Sequence, residues 1–409
     1  MRVVIIGAGI IGLTTAYQLA KDGTQVTVVS ARASGLGASV VNAGWVCPAE
    51  AAPVPGPGII GHSLRWMLRR DSPLYIHPSL RPSYLVFLLR MWRHCDERHF
   101  RSGHQALLDL ATGTMDLLDD YVLDGVRFEM HRDGLLVAFL SPQRFAEHQQ
   151  HLDLAQAHGL EPRILVGGAL RELEPALSDR VVGGIHFPHE RHLDPATLVR
   201  GLVERCRELG VRLVEDAPVD RVEWEGVGVH AVRSRERRFS ADAFVVAAGT
   251  WSGTLSGMFG RGLPIVPGKG YKLDLPAYPL RRPLYLSEAR VAATPLESGL
   301  RLAGTMELGS LDERIDEART RAISAAPGSY VRDWRPTRGA SVGAGLRPMT
   351  PDGLPVIGKL PGTANVYVST GHAMLGLTLA PRSAVELARL IVSGEASAVL
   401  RPFSADRFV

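Results

Sequence analysis

Several things are scarce or missing from this sequence, and each gap removes a class of protein. No stretch of 18 or more apolar residues occurs in its 409 residues, so no segment reads as a membrane-spanning helix. The three cysteines, Cys47, Cys95 and Cys206, are odd in number and widely scattered. That argues against a disulfide framework and for reduced thiols in a cytoplasmic protein. No dense basic run with interleaved aromatics appears, and the formal charge of +4 is mild, so no nucleic-acid surface is expected. Internal repeats, low-complexity tails and a signal peptide ahead of the first strand are not seen. His186, His189 and His192 do not make metal-ligand spacing on one element, and no Ser/His/Asp or paired-carboxylate set stands out; no metal is expected.

What is present is glycine in two telling places. The chain opens MRVVIIGAGIIGLTTAYQLA, with Gly7, Gly9, Ile10 and Gly12 directly after the apolar run Val3 to Ile6. A strand ending at Ile6 would let Gly7 make the tight turn, Gly9 admit a pyrophosphate and Gly12 let the helix pack close. Phosphates would then meet free N–H groups at a helix N-terminus. The second strand, Gln25 to Val29, should end in an acidic residue that binds a ribose hydroxyl, but Ser30, Ala31 and Arg32 stand there. Losing the acid while gaining an arginine also suits a 2′-phosphate, so this motif leaves FAD and NADP both open. Near the end, STGHAMLGLTLAPRSAVELARLIVSG reads as a glycine-marked turn into a long helix.

Between these ends the chain alternates. Residues 51 to 130 look helical, after which Gly134 to Leu140 and Gly183 to Phe187 look strand-like. Asp194 and Pro195 read as the cap and first turn of a helix that ends at Gly210 and leads into strand Val211 to Val214. VDRVEW, GVHAVRS and AFVVAAG follow as short strands, and 262 to 340 reads as strands and turns of a second domain. Tyr84 to Trp92, with Arg65, Trp66, Met67, Arg69, Arg70, Arg81, Arg90 and Arg93 around it, is basic and amphipathic. It reads as a helical insert packed on the second domain, the alternative being contact with an anionic membrane through residues 60–100.

Taken in order, GAGIIG, ASVVNAGWVCP (38–48), AAGTWS (247–252), LPIVPGKGYKL (263–273), AGLRPMTPDGLPVIGK (344–359) and STGHAMLGLT (369–378) carry a resemblance. The chain resembles the D-amino-acid oxidase and glycine oxidase superfamily of FAD enzymes, and within it the bacterial D-amino-acid dehydrogenases most. WMLRRDSPLYIHP (66–78), VPGKGYKL and LRPMTPDG are the most dehydrogenase-like motifs. The resemblance favours FAD over NADP. It implies an α/β fold in which a Rossmann-like FAD-binding domain is assembled from separated segments (1–50, 190–260 and 341–409). An α+β substrate domain with a mainly antiparallel sheet would take 51–189 and 261–340.

By resemblance, Gly7, Gly9, Ile10 and Gly12 hold the pyrophosphate and Ser30, Ala31 and Arg32 the ribose and adenine edge. Ser39, Asn42, Ala43 and Gly44 run beside the pyrophosphate and flavin, and Val219 touches adenine. Ala248, Gly249 and Trp251 lie near the ribityl chain. Gly371, His372, Met374, Leu375, Gly376 and Thr378 form the loop facing the flavin's N1–C2=O edge. No cysteine follows Cys206 and no histidine stands near Asn42, so the covalent flavin links of some relatives are missing and the FAD is expected to be non-covalent.

The same resemblance assigns Arg347 to the substrate carboxylate, a role its planar fork suits. Tyr271 is expected to line the active site and orient that carboxylate. The implied reaction moves a hydride from Cα of a D-amino acid to flavin N5. The imine is then hydrolysed to a 2-oxo acid and ammonia, and electrons leave to a quinone, an electron-transfer protein or O2. The loop departs from the dehydrogenase pattern at Ala373, Met374 and Leu377, which leaves the substrate open. A glycine, sarcosine or cyclic imino acid such as D-proline is one alternative, and a non-catalytic FAD-binding subunit another. The expected location is cytoplasmic, with peripheral contact at the inner membrane face as the variant.

Overall fold

The computed structural model describes residues 1–58, 74–150, 152–336 and 339–408. Val3 to Ile6 are all buried in strand Arg2–Ile6, which is paired in parallel on both sides, by Gln25–Val29 and Ala243–Val246. The whole sheet runs Arg212–Val214, Gln25–Val29, Arg2–Ile6, Ala243–Val246, Val366–Thr370, Val356–Lys359, and only the last pair is antiparallel. Its central strands read as continuous apolar runs because both faces are covered. Val3, Ile5 and Val245 pack under helices Ile10–Lys21, Pro195–Glu208 and Gly376–Ser393. Val4, Ile6 and Val246 face the small antiparallel sheet built from Arg221–Glu225, Gly228–Ser234 and Arg237–Ser240. Each leucine fully buried this way stabilises the fold by roughly 1.5–3 kcal/mol.

The helix after Asp194 forms as the sequence implies, with the Asp194 carboxylate accepting from the Ala196 N–H at 3.0 Å and Pro195 in the first turn. The strand that follows is Arg212–Val214, and it joins the parallel sheet through Gln25–Val29.

Among the described residues the second sheet has nine strands. Eight follow the order Ser341–Met349, Val266–Leu275, Gly299–Leu308, Val291–Leu296, Leu284–Leu286, Leu135–Phe139, Gly183–Phe187, Arg163–Leu165, and Leu74–Ile76 pairs beside Gly299–Leu308. Most of its pairings are antiparallel, with Leu284–Leu286 on Leu135–Phe139 a parallel exception. Segment 341–349, expected among the cofactor-binding pieces, is instead the edge strand of this sheet, in register with Val266–Asp274. The chain rejoins the parallel sheet only at Val356. Within 74–130 the expected helices are Pro82–Arg93, Glu97–Ala111 and Thr114–Leu123. Arg65, Trp66, Met67, Arg69 and Arg70 of the basic segment lie outside the described residues. Among the described residues no helix is long and apolar enough to cross a membrane.

Candidate active site

The carboxyl ends of the parallel strands open on one cavity of about 720 Å3, which continues to the face of the nine-stranded sheet. This is the place where open α/β sheets take ligands. Gly7, at φ +119°, turns the chain there, and a Cβ on Gly12 would stand 1.9 Å from the Gly7 carbonyl oxygen. Gly12 therefore serves the close helix packing and does not line the cavity, whereas Gly7, Gly9 and Ile10 do. Helix Ile10–Lys21 starts at Gly9 with no side-chain cap and no acid in its first turn. Ser39 Oγ accepts from the Ile10 N–H at 3.0 Å, which draws the second expected loop onto this N-terminus. An acid-free helix end aimed into a deep cavity fits a pyrophosphate.

Ser30, Ala31, Arg32 and Val219 line the far end of the cavity. The Arg32 guanidinium is 5.0 Å from the ring centre of Trp251 and pairs with Glu313 at 3.1 Å. Its charge is thus already answered within the protein, which weakens the case for a 2′-phosphate there. Ala248 and Gly249 also line the cavity, and Thr370 Oγ1 donates to the Gly249 carbonyl at 3.0 Å, tying two strand ends together.

The NAG loop meets the closing loop. Asn42 Nδ2 donates to the Met374 carbonyl at 3.5 Å, Asn42 Oδ1 accepts from the Gly44 N–H at 2.8 Å, and the Cys47 N–H donates to Thr378 Oγ1 at 3.1 Å. Asn42, Ala43, His372, Met374, Leu375, Gly376 and Thr378 border the cavity, whereas Gly44 and Gly371 turn the backbone behind it at φ +91° and +77°. Helix Gly376–Ser393 begins there with no side-chain cap and no first-turn acid. A second helix N-terminus therefore faces the cavity, the arrangement that would stabilise negative charge on a reduced flavin ring. His372 is buried, its Nε2 3.1 Å from Ser383 Oγ, and burial lowers its pKa to about 3, so the ring stays neutral. Cys47 is buried and its thiol is pushed well up, first by desolvation and then by Glu190 and Glu50, so it is inert.

Arg347 comes in on the edge strand Ser341–Met349. Its guanidinium lies across Gly270 of the next strand, where a Cβ would stand 2.1 Å from Arg347 Nη1, and Nη1 donates to the Thr305 carbonyl at 2.8 Å. Its other polar contact among the described residues is Met306 Sδ at 3.9 Å. No carboxylate among the described residues pairs with Arg347, and burial alone lowers its pKa to about 10. Tyr271, expected beside it, is not there. Successive residues of a strand face opposite sides, so with Gly270 under Arg347, Tyr271 points into the sheet's other core. Its phenol donates to the Glu307 carboxylate, which also holds Lys269 at 3.5 Å and Arg319 at 3.2 Å. Desolvation first, then the Glu307 bond, raises the Tyr271 pKa.

The sequence missed the residues that complete this end of the cavity. Trp45, Glu50, Tyr285, Arg290, Thr305 and Met306 line it, drawn from separate strands and turns. Trp45 donates from Nε1 to Thr294 Oγ1 at 2.8 Å and meets Tyr285 edge to face at 5.7 Å. Elsewhere, one ligand atom each of His131, Asp133 and His192 lie within 4.8 Å of one another, a grouping that spacing did not reveal. The two imidazoles stack at 4.7 Å with planes 14° apart, so their in-plane lone pairs do not converge on one ion.

Comparisons with known proteins agree with this geometry. A family model described as FAD dependent oxidoreductase matches residues 2–390. The D-amino acid dehydrogenase of Vibrio atlanticus is 33% identical over 410 residues, covering 97% of each chain. That of Cereibacter sphaeroides is 33% identical over 400 residues, 96% of this chain and 92% of the relative. The glycine oxidase of Geobacillus kaustophilus superposes with a TM-score of 0.77 at 21% identity, over 100% of this chain and 99% of that one. The L-proline dehydrogenase of P. horikoshii gives a TM-score of 0.77 at 18% identity, over 100% and 97%. With two helix N-termini on one elongated cavity and a family match over nearly its whole length, this chain belongs to the FAD-dependent oxidoreductase family.

Proposed function

We propose that the protein oxidises a D-amino acid to the imino acid, which water hydrolyses to a 2-oxo acid and ammonia. The observation that carries this reading is Arg347, a buried guanidinium on the cavity wall with no carboxylate partner among the described residues. A substrate carboxylate would supply that partner in a bidentate pair. The relatives named D-amino acid dehydrogenase support the D-configuration. FAD, when bound, supplies the two-electron acceptor for the Cα hydride.

The chain's own residues position and shield. Gly270 lets the guanidinium lie flat, and the Thr305 carbonyl fixes one of its nitrogens. Neutral His372 brings no competing charge, and Trp45 and Met306 line the wall beside the guanidinium. Rate enhancement in such a site rests on orientation and electrostatics. In this reading Gly7 to Ser39, Val219, Ala248 to Trp251 and His372 to Thr378 hold the cofactor, and the nine-stranded sheet, including 341–349, presents the substrate.

The test is the visible spectrum of the purified protein under anaerobic conditions, before and after D- and L-amino acids, D-proline and sarcosine. Bleaching at about 450 nm with D-amino acids and not their L-enantiomers is expected. An oxidised flavin with every D-amino acid would overturn the reading, and bleaching by sarcosine alone would replace it with a secondary-amine substrate.

For the electrons we propose transfer to a carrier at an anionic membrane surface. Helix Pro82–Arg93 exposes Leu85, Val86, Leu89 and Trp92 and carries Arg90 and Arg93 in its last turn. Apolar positions flanked by arginine suit an anionic lipid interface. Flotation with vesicles containing phosphatidylglycerol should carry the protein, and a Leu89→Glu, Trp92→Glu variant should stay behind. Equal flotation of the two would dismiss this surface.

A further inference from the structure

The substrate cavity has a second charged end. Glu50 closes the short turn Pro48–Glu50 and lines the same cavity as Arg347, together with Tyr285, Arg290 and Ala292. Its carboxylate has no hydrogen bond among the described residues; His148 Nε2 stands 3.8 Å from one of its oxygens. Glu190 stands behind the turn, 1% exposed. One of its oxygens accepts the Ala49 N–H at 3.0 Å, and its carboxylate also faces the Cys47 thiol. Desolvation raises both acids, Glu50 to about 7 against the pull of Arg290, and Glu190 to about 8 with Glu50 adding to the rise. Glu50 is half-buried at the cavity wall, and a carboxylate there that accepts no hydrogen bond favours a ligand that brings a cationic donor.

The sheet sets the distance between the two ends. The Arg347 guanidinium lies over Val266–Leu275 and reaches Thr305 on Gly299–Leu308. Glu50 is at the side of Leu284–Leu286 and Val291–Leu296, where Tyr285 and Ala292 line the cavity and Arg290 acts on its charge. These strands follow Gly299–Leu308 as its next two neighbours. Across the sheet, the strands beneath the two ends lie about two spacings, roughly 10 Å, apart. The α-amine of an amino acid is only about 2.5 Å from its carboxyl carbon, so Glu50 is out of its reach once Arg347 holds the carboxylate. A side chain of lysine or arginine length covers the gap.

Resting on the function proposed above, we infer that Glu50 is a specificity residue, accepting hydrogen bonds from the side-chain cation of a basic D-amino acid whose carboxylate Arg347 holds. Arg290 borders the same end and favours the opposite choice, a side-chain carboxylate. Glu50 prevails in this proposal because its carboxylate lacks a donor and Glu190 adds to the negative side.

The experiment uses the FAD-loaded protein and two ligands with no α-amine to oxidise, hexanoate and 6-aminohexanoate, followed by calorimetry. The terminal amine is expected to tighten binding about tenfold or more, and Glu50→Gln to remove the gain while hexanoate affinity stays. In turnover, D-lysine should exceed D-norleucine in kcat/KM by a similar factor, and Glu50→Gln should collapse the ratio with D-norleucine within about twofold of its original value. Equal affinity for the two acids, an unchanged ratio in the variant, or D-glutamate outrunning D-lysine would overturn the assignment. A protein that binds hexanoate and oxidises D-norleucine but gains nothing from the amine defeats the Glu50 inference alone. Failure to bind hexanoate at all defeats the Arg347 reading and this inference with it.

Discussion

Replacing Arg347 by methionine is expected to lower kcat/KM for D-alanine roughly 100-fold or more while leaving the bound flavin in place. The estimate takes the substrate's charge-assisted pair at roughly 3 kcal/mol or above. Among the described residues its polar partners at the cavity wall are the Thr305 carbonyl and the Met306 sulfur, neither of which replaces a carboxylate contact. Stability should move the other way. Burial brings the guanidinium down to about 10, so folding disfavours its charged form, and that cost is present at every pH below about 10. Methionine removes it, and Tm at pH 7 should be unchanged or raised. Lysine at the same position keeps the charge but loses the fork, and should recover little activity. Stopped-flow flavin reduction and a thermal melt check both halves. A variant that melts far earlier and loses its flavin would mean that Arg347 is structural.

The second large effect separates two glycines three residues apart. Gly9 has an ordinary φ of −82°, and the nearest atom a Cβ would meet is Ser39 Oγ at 3.3 Å. Valine there should fold, yet fill the space before the helix N-terminus, so Gly9→Val is expected to be a well-folded protein without FAD. At Gly12 a Cβ would stand 1.9 Å from the backbone oxygen of Gly7, a clash with no flexible atom to yield. Gly12→Val should therefore lose the fold itself, as overpacking of several kcal/mol would dictate. Circular dichroism and flavin content together read the difference. Flavin retained by Gly9→Val would move the pyrophosphate away from this turn.

The glycine turn was legible because its requirements are local. A buried strand, a tight turn and an acid-free helix start are written in consecutive residues, and Gly7, Gly9 and Gly12 fill those places in the fold. Asp194 capping its helix was legible for the same reason. Arg347 was found through the order of motifs, and the structure places its guanidinium over Gly270 on the cavity wall.

Tyr271 marks the limit of such reading. One residue along a strand decides which face a side chain takes, and only the pairing of Val266–Leu275 with Ser341–Met349 settled that Gly270, not Tyr271, lies beneath the guanidinium. Segment 341–349 shows the same dependence. The strands that follow it in sequence belong to the parallel sheet, but its hydrogen bonds go to the antiparallel one.

The sequence by itself determined the cofactor turn and the closing helix, since each rests on spacing within a few turns of chain, while the kind of chemistry came from the resemblance its ordered motifs carry. The tertiary structure alone decided the far end of the substrate cavity. Glu50, on its turn, is more than 200 residues from Tyr285 and Arg290, and no local pattern links it to them. Their meeting follows from the order in which strands pair across the nine-stranded sheet, a long-range choice made by burial and hydrogen bonding over the whole domain.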